Sequence, residues 1–108
     1  MLASQIQLVP GDVIAVRPDQ IMIDFGGLTV TVPEHQDARA LQVTQIPQII
    51  RHTVRGRNRS RNVFMLRVQG KVSGTETAVS IPLHTEVWSA GSLHDWPAAA
   101  QSPIGAAA

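Results

Sequence analysis

The sequence predicts an all-β protein, folded as a small single-domain β-barrel or sandwich of about seven strands. Three observations favour this class. Apolar and polar side chains alternate with a period of two in several runs, proline and glycine separate those runs, and no wide apolar stripe repeats at helical spacing. Two separate cores in 108 residues would each be marginal. We therefore expect one domain over residues 1–89, followed by an extended C-terminal arm over residues 90–108.

The N-terminal half is expected to form a meander of four short strands. Residues 5–9 and 12–17 look like the first two, with a turn at Pro10-Gly11 between them. Two further runs, residues 20–25 and 28–32, flank a Gly-Gly pair. Because glycine supplies the positive φ angles of a two-residue hairpin turn, we predict that these two runs pair with each other. In that register Phe25 faces Leu28, Ile23 faces Val30 and Ile21 faces Val32.

A short helix is expected over residues 34–41, where one or two turns fit the sequence. Longer strands are expected at residues 48–55, 62–69 and 77–88, with Pro82 bending or ending the last of them. Both faces of the run 62–69 are largely apolar, and its Phe64 is expected in the core. A strand with two apolar faces needs cover on both, which indicates a sandwich, a closed barrel or contact with another subunit.

The composition changes at Ala90, and no charged residue follows Asp95. Pro97 interrupts any helix in this region, so we expect an extended arm, with a disordered terminus as the alternative. Trp96 could anchor the arm in the groove of a partner or pack within its own chain. The predicted interface residues of the arm are Trp96, Pro97, Pro103 and Ile104.

The basic residues are concentrated in one segment of the chain. Residues 50–71 hold seven bases and no acid, whereas residues 1–49 hold two bases and five acids. The stretch 55–62 lies between two predicted strands and contains Gly, Asn and Ser, so it is expected to be a hairpin tip. Arginine offers a planar fork of donors that matches carboxylate and phosphate groups. The predicted contacts to an anionic partner are Arg51, Arg55, Arg57, Arg59 and Arg61.

Two kinds of anion remain open for these arginines, the carboxylates of an acidic protein surface and the phosphates of a nucleic acid. Phosphate binding would weaken steeply as salt is added. Binders of single-stranded nucleic acid also use aromatic platforms, but Trp88 and Trp96 both lie outside the basic segment. No sequence-reading module is recognisable. A solvated tip without a partner is the remaining alternative.

No catalytic, cofactor or metal site is predicted. The chain has no cysteine, and its four histidines show no ligand spacing. Ser92, His94 and Asp95 include the residue types of a catalytic triad, but neighbours in sequence cannot form its relay. We therefore expect a non-enzymatic protein that needs no cofactor and acts on no small-molecule substrate.

Neither a membrane span nor a signal peptide is expected. No apolar stretch reaches the roughly 18 residues that a span needs. The first 15 residues contain no lysine or arginine ahead of an apolar run. We expect a protein that is made in the cytoplasm without export and does not associate with a membrane.

Two classes of function follow. The first is a structural protein that assembles with itself or with a larger complex through its two-sided strands, its arm and its arginine tip. The second is a small-barrel nucleic-acid-binding module with the tip as a phosphate clamp. In size and strand pattern the chain resembles the small β-barrel accessory proteins of phage particles, such as capsid cement or head-to-tail connecting proteins. This resemblance of architecture, which no motif carries, implies a protein incorporated into a virus particle. We favour the first class because its binding features are spread over the whole chain.

Overall fold

The computed structural model describes residues 1–18 and 27–97. These residues form one antiparallel sheet of seven strands, with a single turn of 3-10 helix at Leu93–Asp95. The strands are β1 (Val13–Pro18), β2 (Leu28–Val30), β3 (Arg39–Val43), β4 (Gln48–Arg55), β5 (Ser60–Val72), β6 (Thr75–Pro82) and β7 (Ser89–Ala90). The predicted all-β class is therefore confirmed.

Strand β5 organises the sheet because both of its edges are paired. One edge pairs with β6, whereas the other pairs with β4 along its first half and with β3 along its second half. Strand β1 is also paired on both edges, with β3 on one side and with β2 and β7 on the other. The sheet curls around one core, so that β2 lies against β6. Strand β4 is left at the end of the sheet.

The core forms from alternate residues of the curled strands. Val68 on β5 and Val79 on β6 are opposite each other in the ladder and are both buried, as are Leu66 and Ile81. Each such side chain contributes about 1.5–3 kcal/mol when it leaves water. The buried members of the core are Ala3, Leu8, Ile14, Val16, Leu41, Val43, Leu66, Val68, Val79, Ile81 and Val87.

The three strands predicted in the second half are present in the structure, although the last covers Thr75–Pro82 instead of residues 77–88. Strand β4 has the predicted bounds, and the run 62–69 lies within β5. Strand β6 ends at Pro82, which is one of the two effects expected of that proline. Strand β5 continues beyond its predicted end to a tight turn at Ser73 (φ 50°) and Gly74 (φ 81°). Positive φ at both central residues is typical of the hairpin turn that suits the twist of paired strands.

The strand expected at residues 5–9 is wrong, although Leu8 is buried in the core. The backbone N–H groups of Gln5 and Ile6 instead donate to the carbonyl oxygen of Leu2 and close a turn. The physical reason lies in β1, the next strand along the chain. Its two edges are already occupied by β2, β3 and β7, so that it offers no edge to residues 5–9.

The helix expected at residues 34–41 is also wrong. A short turn follows Pro33, in which the N–H of Ala38 donates to the carbonyl oxygen of His35. Strand β3 then begins at Arg39 and buries Leu41 and Val43 in the core. Pairing with β1 and β5 on its two edges outweighs the weak helical preference of this segment.

The predicted Gly-Gly hairpin is described only in part. Its first half, residues 20–25, lies outside the described residues, so the register proposed for it stays a prediction. Gly27 has a φ of 74°, as the predicted turn requires. Strand β2 pairs with β1, with Val30 opposite Val16 and Leu28 opposite Pro18.

A second apolar cluster covers the outer face of β1. Trp96, which is 5% exposed, packs with Val13 and Ala15. The ring of Trp88 meets that of Trp96 edge to face, with centroids 5.4 Å apart. Trp96 thus packs within its own chain, and its predicted contact with a partner stays a prediction.

The other arm residues give a less complete picture. Pro97 is half-buried next to Trp96. Pro103 and Ile104 lie outside the described residues, so their role in an interface stays a prediction.

The packing of Trp96 can be tested by fluorescence, since the chain has only two tryptophans. The Trp88→Phe variant leaves Trp96 as the single emitter, and Trp96→Phe leaves the half-buried Trp88. Because water relaxes around an exposed indole, we expect Trp96 to emit at shorter wavelength than Trp88. We also expect acrylamide to quench it less. Equal quenching of the two variants in the isolated protein would contradict the observed packing.

Candidate functional site

The most exposed part of the described chain is a two-stranded β-ribbon, residues 48–67, named the ribbon. It consists of β4, the loop 56–59 and the first half of β5, paired in continuous register from Gln48 opposite Arg67 to Arg55 opposite Ser60. Strand β6 reaches only as far as Met65, so the ribbon beyond that point has no third strand among the described residues. Within the ribbon only Met65 and Leu66, near its base, are buried.

The ribbon has two distinct faces, because residues opposite each other in an antiparallel pair point to the same side. The inner face continues the core side of the sheet and the outer face is its reverse. The inner face carries Ile49, Arg51, Thr53 and Arg55 of β4 with Leu66, Phe64, Asn62 and Ser60 of β5. The outer face carries Gln48, Ile50, His52 and Val54 of β4 with Arg67, Met65, Val63 and Arg61 of β5.

The five predicted arginines all lie on the ribbon and are all exposed. Arg51 and Arg55 belong to the inner face and Arg61 to the outer face. Arg57 and Arg59 lie in the loop at the tip. The N–H of Gly56 donates to the carbonyl oxygen of Arg59 at 2.7 Å and closes this loop between β4 and β5. The arginines thus surround the end of the ribbon.

No carboxylate of the chain neutralises these arginines within the described residues. The ribbon itself contains no Asp or Glu. In residues 1–18 and 27–97 the only ion pair joins the Met1 amino group to Glu86 at 2.9 Å, away from the ribbon. The guanidinium groups therefore keep their donors for anions from outside the described part of the chain.

The ribbon also exposes apolar side chains. Ile49 is 64% exposed and Phe64 is 51% exposed, both on the inner face. Ile46, just before β4, and Val54 are exposed as well. Next to Phe64 lies a shallow groove, whose other side is lined by Leu2 of the N-terminal segment and by Leu83, which follows β6.

The placement of Phe64 corrects the expectation that it belongs to the core. It lies opposite Arg51 and one residue before the β5–β6 ladder begins, where β4 is the only strand that pairs with β5 among the described residues. Alternation along the sequence shows which face Phe64 shares with Leu66 but not where the covering strand ends. The groove was missed for a related reason, because Leu2, Phe64 and Leu83 are far apart in the chain.

The other residues considered from the sequence do not assemble into a second site. The hydroxyl of Ser92 donates to a carboxylate oxygen of Asp95 at 3.3 Å, an exposed contact at the 3-10 turn. Within residues 1–18 and 27–97, no group of three or more histidine or acidic side chains is placed to hold a metal ion. No helix in the same residues is long and apolar enough to cross a membrane.

The fold and this surface define a small all-β protein with an exposed, basic and partly apolar ribbon. Comparisons with protein-family models, with curated proteins and with solved structures found no match for the chain. The kind of partner that the ribbon binds is therefore inferred from the charge and exposure of its side chains.

Proposed function

We propose that the chain is a non-enzymatic structural protein that joins a larger protein assembly by docking its ribbon on an acidic surface. One observation carries this proposal. The same ribbon holds arginines that form no ion pair within the described chain and apolar side chains that are exposed. A two-stranded ribbon alone is at best marginally stable in water. A partner that covers it would bury Ile49 and Phe64 and would supply anionic oxygens to the guanidinium groups.

The mixture of side chains favours a protein partner. Protein interfaces are enriched in aromatic residues and arginine at their centre and depleted in lysine and acids. The inner face of the ribbon has this composition, with Phe64 opposite Arg51 and Ile49 beside them. Among the described residues no buried side chain is polar or charged. The polar and charged side chains of the described chain therefore lie on its surface, where a partner can contact them.

The most concrete form of this proposal is an accessory protein of a virus particle, which decorates its shell or connects its head and tail. The likeness of size and strand pattern to such proteins supports this version. Assembly of several copies on the same particle is compatible with it, because each ribbon would contact the acidic surface rather than another ribbon.

Nucleic acid is the second candidate, because the major groove of DNA admits a two-stranded ribbon. Arginines on both faces and at the tip would then contact phosphates on both strands. Such binding would fall steeply with salt. It would also leave Ile49 and Phe64 without an apolar partner, which is why we rank it second.

Photo-crosslinking in the cells that naturally make the protein tests the proposal. Phe64 is replaced by photoreactive benzoylphenylalanine, and Leu93, which is also half exposed but lies off the ribbon, serves as the control position. We expect a specific protein adduct from position 64 that becomes much weaker when Arg51 and Arg55 are both changed to Glu. An adduct with nucleic acid would favour the second candidate. If position 64 gives no more adduct than position 93, docking through the ribbon is excluded.

A further inference from the structure

We propose that the free edge of β4 binds an extended acidic segment of the partner, which adds to the sheet as a further strand. This inference rests on the proposed assembly function and names the contact that achieves it. Addition of a strand to an exposed sheet edge is a common mode of peptide recognition, in which backbone hydrogen bonds provide affinity and alternate side chains provide specificity.

The backbone of β4 presents unpaired groups along this edge. Strand β4 ends the sheet and pairs only with β5 among the described strands. In an antiparallel pair, hydrogen-bonded positions alternate along each strand, and the bond from Gly56 to Arg59 places that pair at a hydrogen-bonded position. Val54, His52 and Ile50 therefore bond to β5. The residues whose N–H and C=O groups point away from β5 are Ile49, Arg51, Thr53 and Arg55.

This edge lacks most of the features that prevent strands from pairing with other chains. Natural edges are commonly short, interrupted by proline or distorted by a bulge. Strand β4 is eight residues long, has no proline and keeps an unbroken register with β5. The arginines on it are the exception, because they select which strand can approach.

A second copy of this chain does not fit the edge. Two β4 strands side by side would bring together two ribbons that each carry several arginines and no acid. The repulsion would act well within the Debye length of about 8 Å at physiological salt. An acidic strand has the opposite effect, because each carboxylate placed beside Arg51 or Arg55 removes part of this repulsion. Charge complementarity therefore identifies the occupant as a segment rich in Asp or Glu.

The side chains of β4 also specify the pattern of that segment. Arg51 and Arg55 lie on the same face four residues apart. The added strand should carry acids at two positions four residues apart, so that one lies opposite each arginine. The position between them faces Thr53, for which Thr or Ser is suitable. On the outer face, β-branched residues would pack beside Ile50 and Val54.

Residue-specific hydrogen exchange on the full chain tests this inference. The probe is a synthetic nine-residue peptide, Thr-Val-Glu-Ile-Thr-Val-Glu-Val-Thr with blocked ends, and its control has Lys in place of both Glu. With the acidic peptide bound, amides at the outward positions 49, 51, 53 and 55 should exchange at least about tenfold more slowly, as expected for a new hydrogen bond of ordinary strength. Amides at 50, 52 and 54 should change little because they already bond to β5. The Lys peptide should protect none of them.

Two variants of Thr53 provide a matched pair for the same peptide. Thr53→Pro removes an outward N–H and leaves the ladder to β5 intact, and proline is tolerated on the solvent side of edge strands. We expect it to weaken binding of the acidic peptide at least about tenfold, whereas Thr53→Val should bind like the native chain. As a check independent of proline, Arg51→Glu with Arg55→Glu should lose the acidic peptide and gain the Lys peptide.

Three results would overturn the inference, and they differ in what they say about the proposed function. If the acidic peptide binds while the four outward amides exchange as fast as in the free chain, strand addition is wrong but docking on an acidic partner stands. If the peptide does not bind but the crosslink from position 64 to a protein persists, the edge is not the contact. If only duplex DNA binds, again without protection of the outward amides, both the inference and the assembly function fail.

Discussion

Replacing Gly70 with alanine is expected to destabilise the fold by about 3 kcal/mol or more, the largest loss of stability that we predict for a single methyl group here. Gly70 lies in β5 opposite Val43, where the strand passes close to β3. A Cβ atom at this position would lie 2.5 Å from Cδ2 of Leu41 and closer still to the carbonyl oxygen of Gln42. The backbone of β3 cannot move away, because it is held in ladders on both edges.

Urea denaturation measures this effect, and Gly91→Ala provides the matched control. A Cβ at Gly91 would meet no atom within 4 Å, and its φ is outside the left-handed region. Gly91→Ala should therefore change the free energy of unfolding by less than about 1 kcal/mol, in the stabilising direction through the unfolded chain. The midpoint for Gly70→Ala should fall at nearly constant m-value. Equal urea midpoints for the two variants would show that β3 and β5 leave room for a Cβ atom at position 70, which contradicts the observed distance.

Changing the four tip arginines to glutamine should weaken binding to an acidic partner about 100-fold at low salt, because exposed ion pairs contribute about 0.2–1 kcal/mol each. The positions are Arg55, Arg57, Arg59 and Arg61. The loss should be much smaller in 1 M salt, where the Debye length falls to about 3 Å. Titration of the protein captured at position 64 measures the affinity at each salt concentration.

The control for this variant removes a charge away from the ribbon. Arg39 is exposed on β3, in the curled part of the sheet, so Arg39→Gln should leave the affinity nearly unchanged. The four-fold variant should also keep its stability within about 0.5 kcal/mol for each substitution, as is usual for exposed positions. A loss of affinity that is the same at low and high salt would contradict an electrostatic role for the tip.

The two predictions separate the scaffold from its binding surface. Gly70→Ala acts where β3 and β5 meet, near the core, and leaves every ribbon charge in place. The tip variant removes four charges from exposed positions in the loop and the adjoining strand ends, none of which belongs to the core. If the ribbon functions as proposed, the folded fraction of Gly70→Ala should bind with native affinity, while the tip variant should fold normally and bind weakly.

Much of the second half of the fold was predictable from the sequence for a local reason. Strand β4 was predicted with its observed bounds, because its residues favour an extended backbone and the Gly, Asn and Ser that follow indicate a turn. The end of β6 was predictable because Pro82 has no N–H for the ladder. The concentration of arginines was visible by counting, and their placement at a hairpin tip followed from the turn residues.

Other features could not be read from local patterns. Residues 5–9 look like a strand but find no free edge, and the segment from Arg39 becomes a strand because β1 and β5 pair with it. The burial of Trp96 depends on the outer face of β1, more than 80 positions earlier in the chain.

The residues themselves thus determined the all-β class, the main strands of the second half and the chemistry of the basic hairpin, since each depends on neighbours within a few positions. The tertiary structure decided that Phe64 is exposed, that Trp96 is covered and that one edge of β4 is open among the described residues. A period of two shows which side chains share a face of a strand. Whether that face or edge is covered depends on where distant strands begin and end, and this is set by the pairing of the whole sheet.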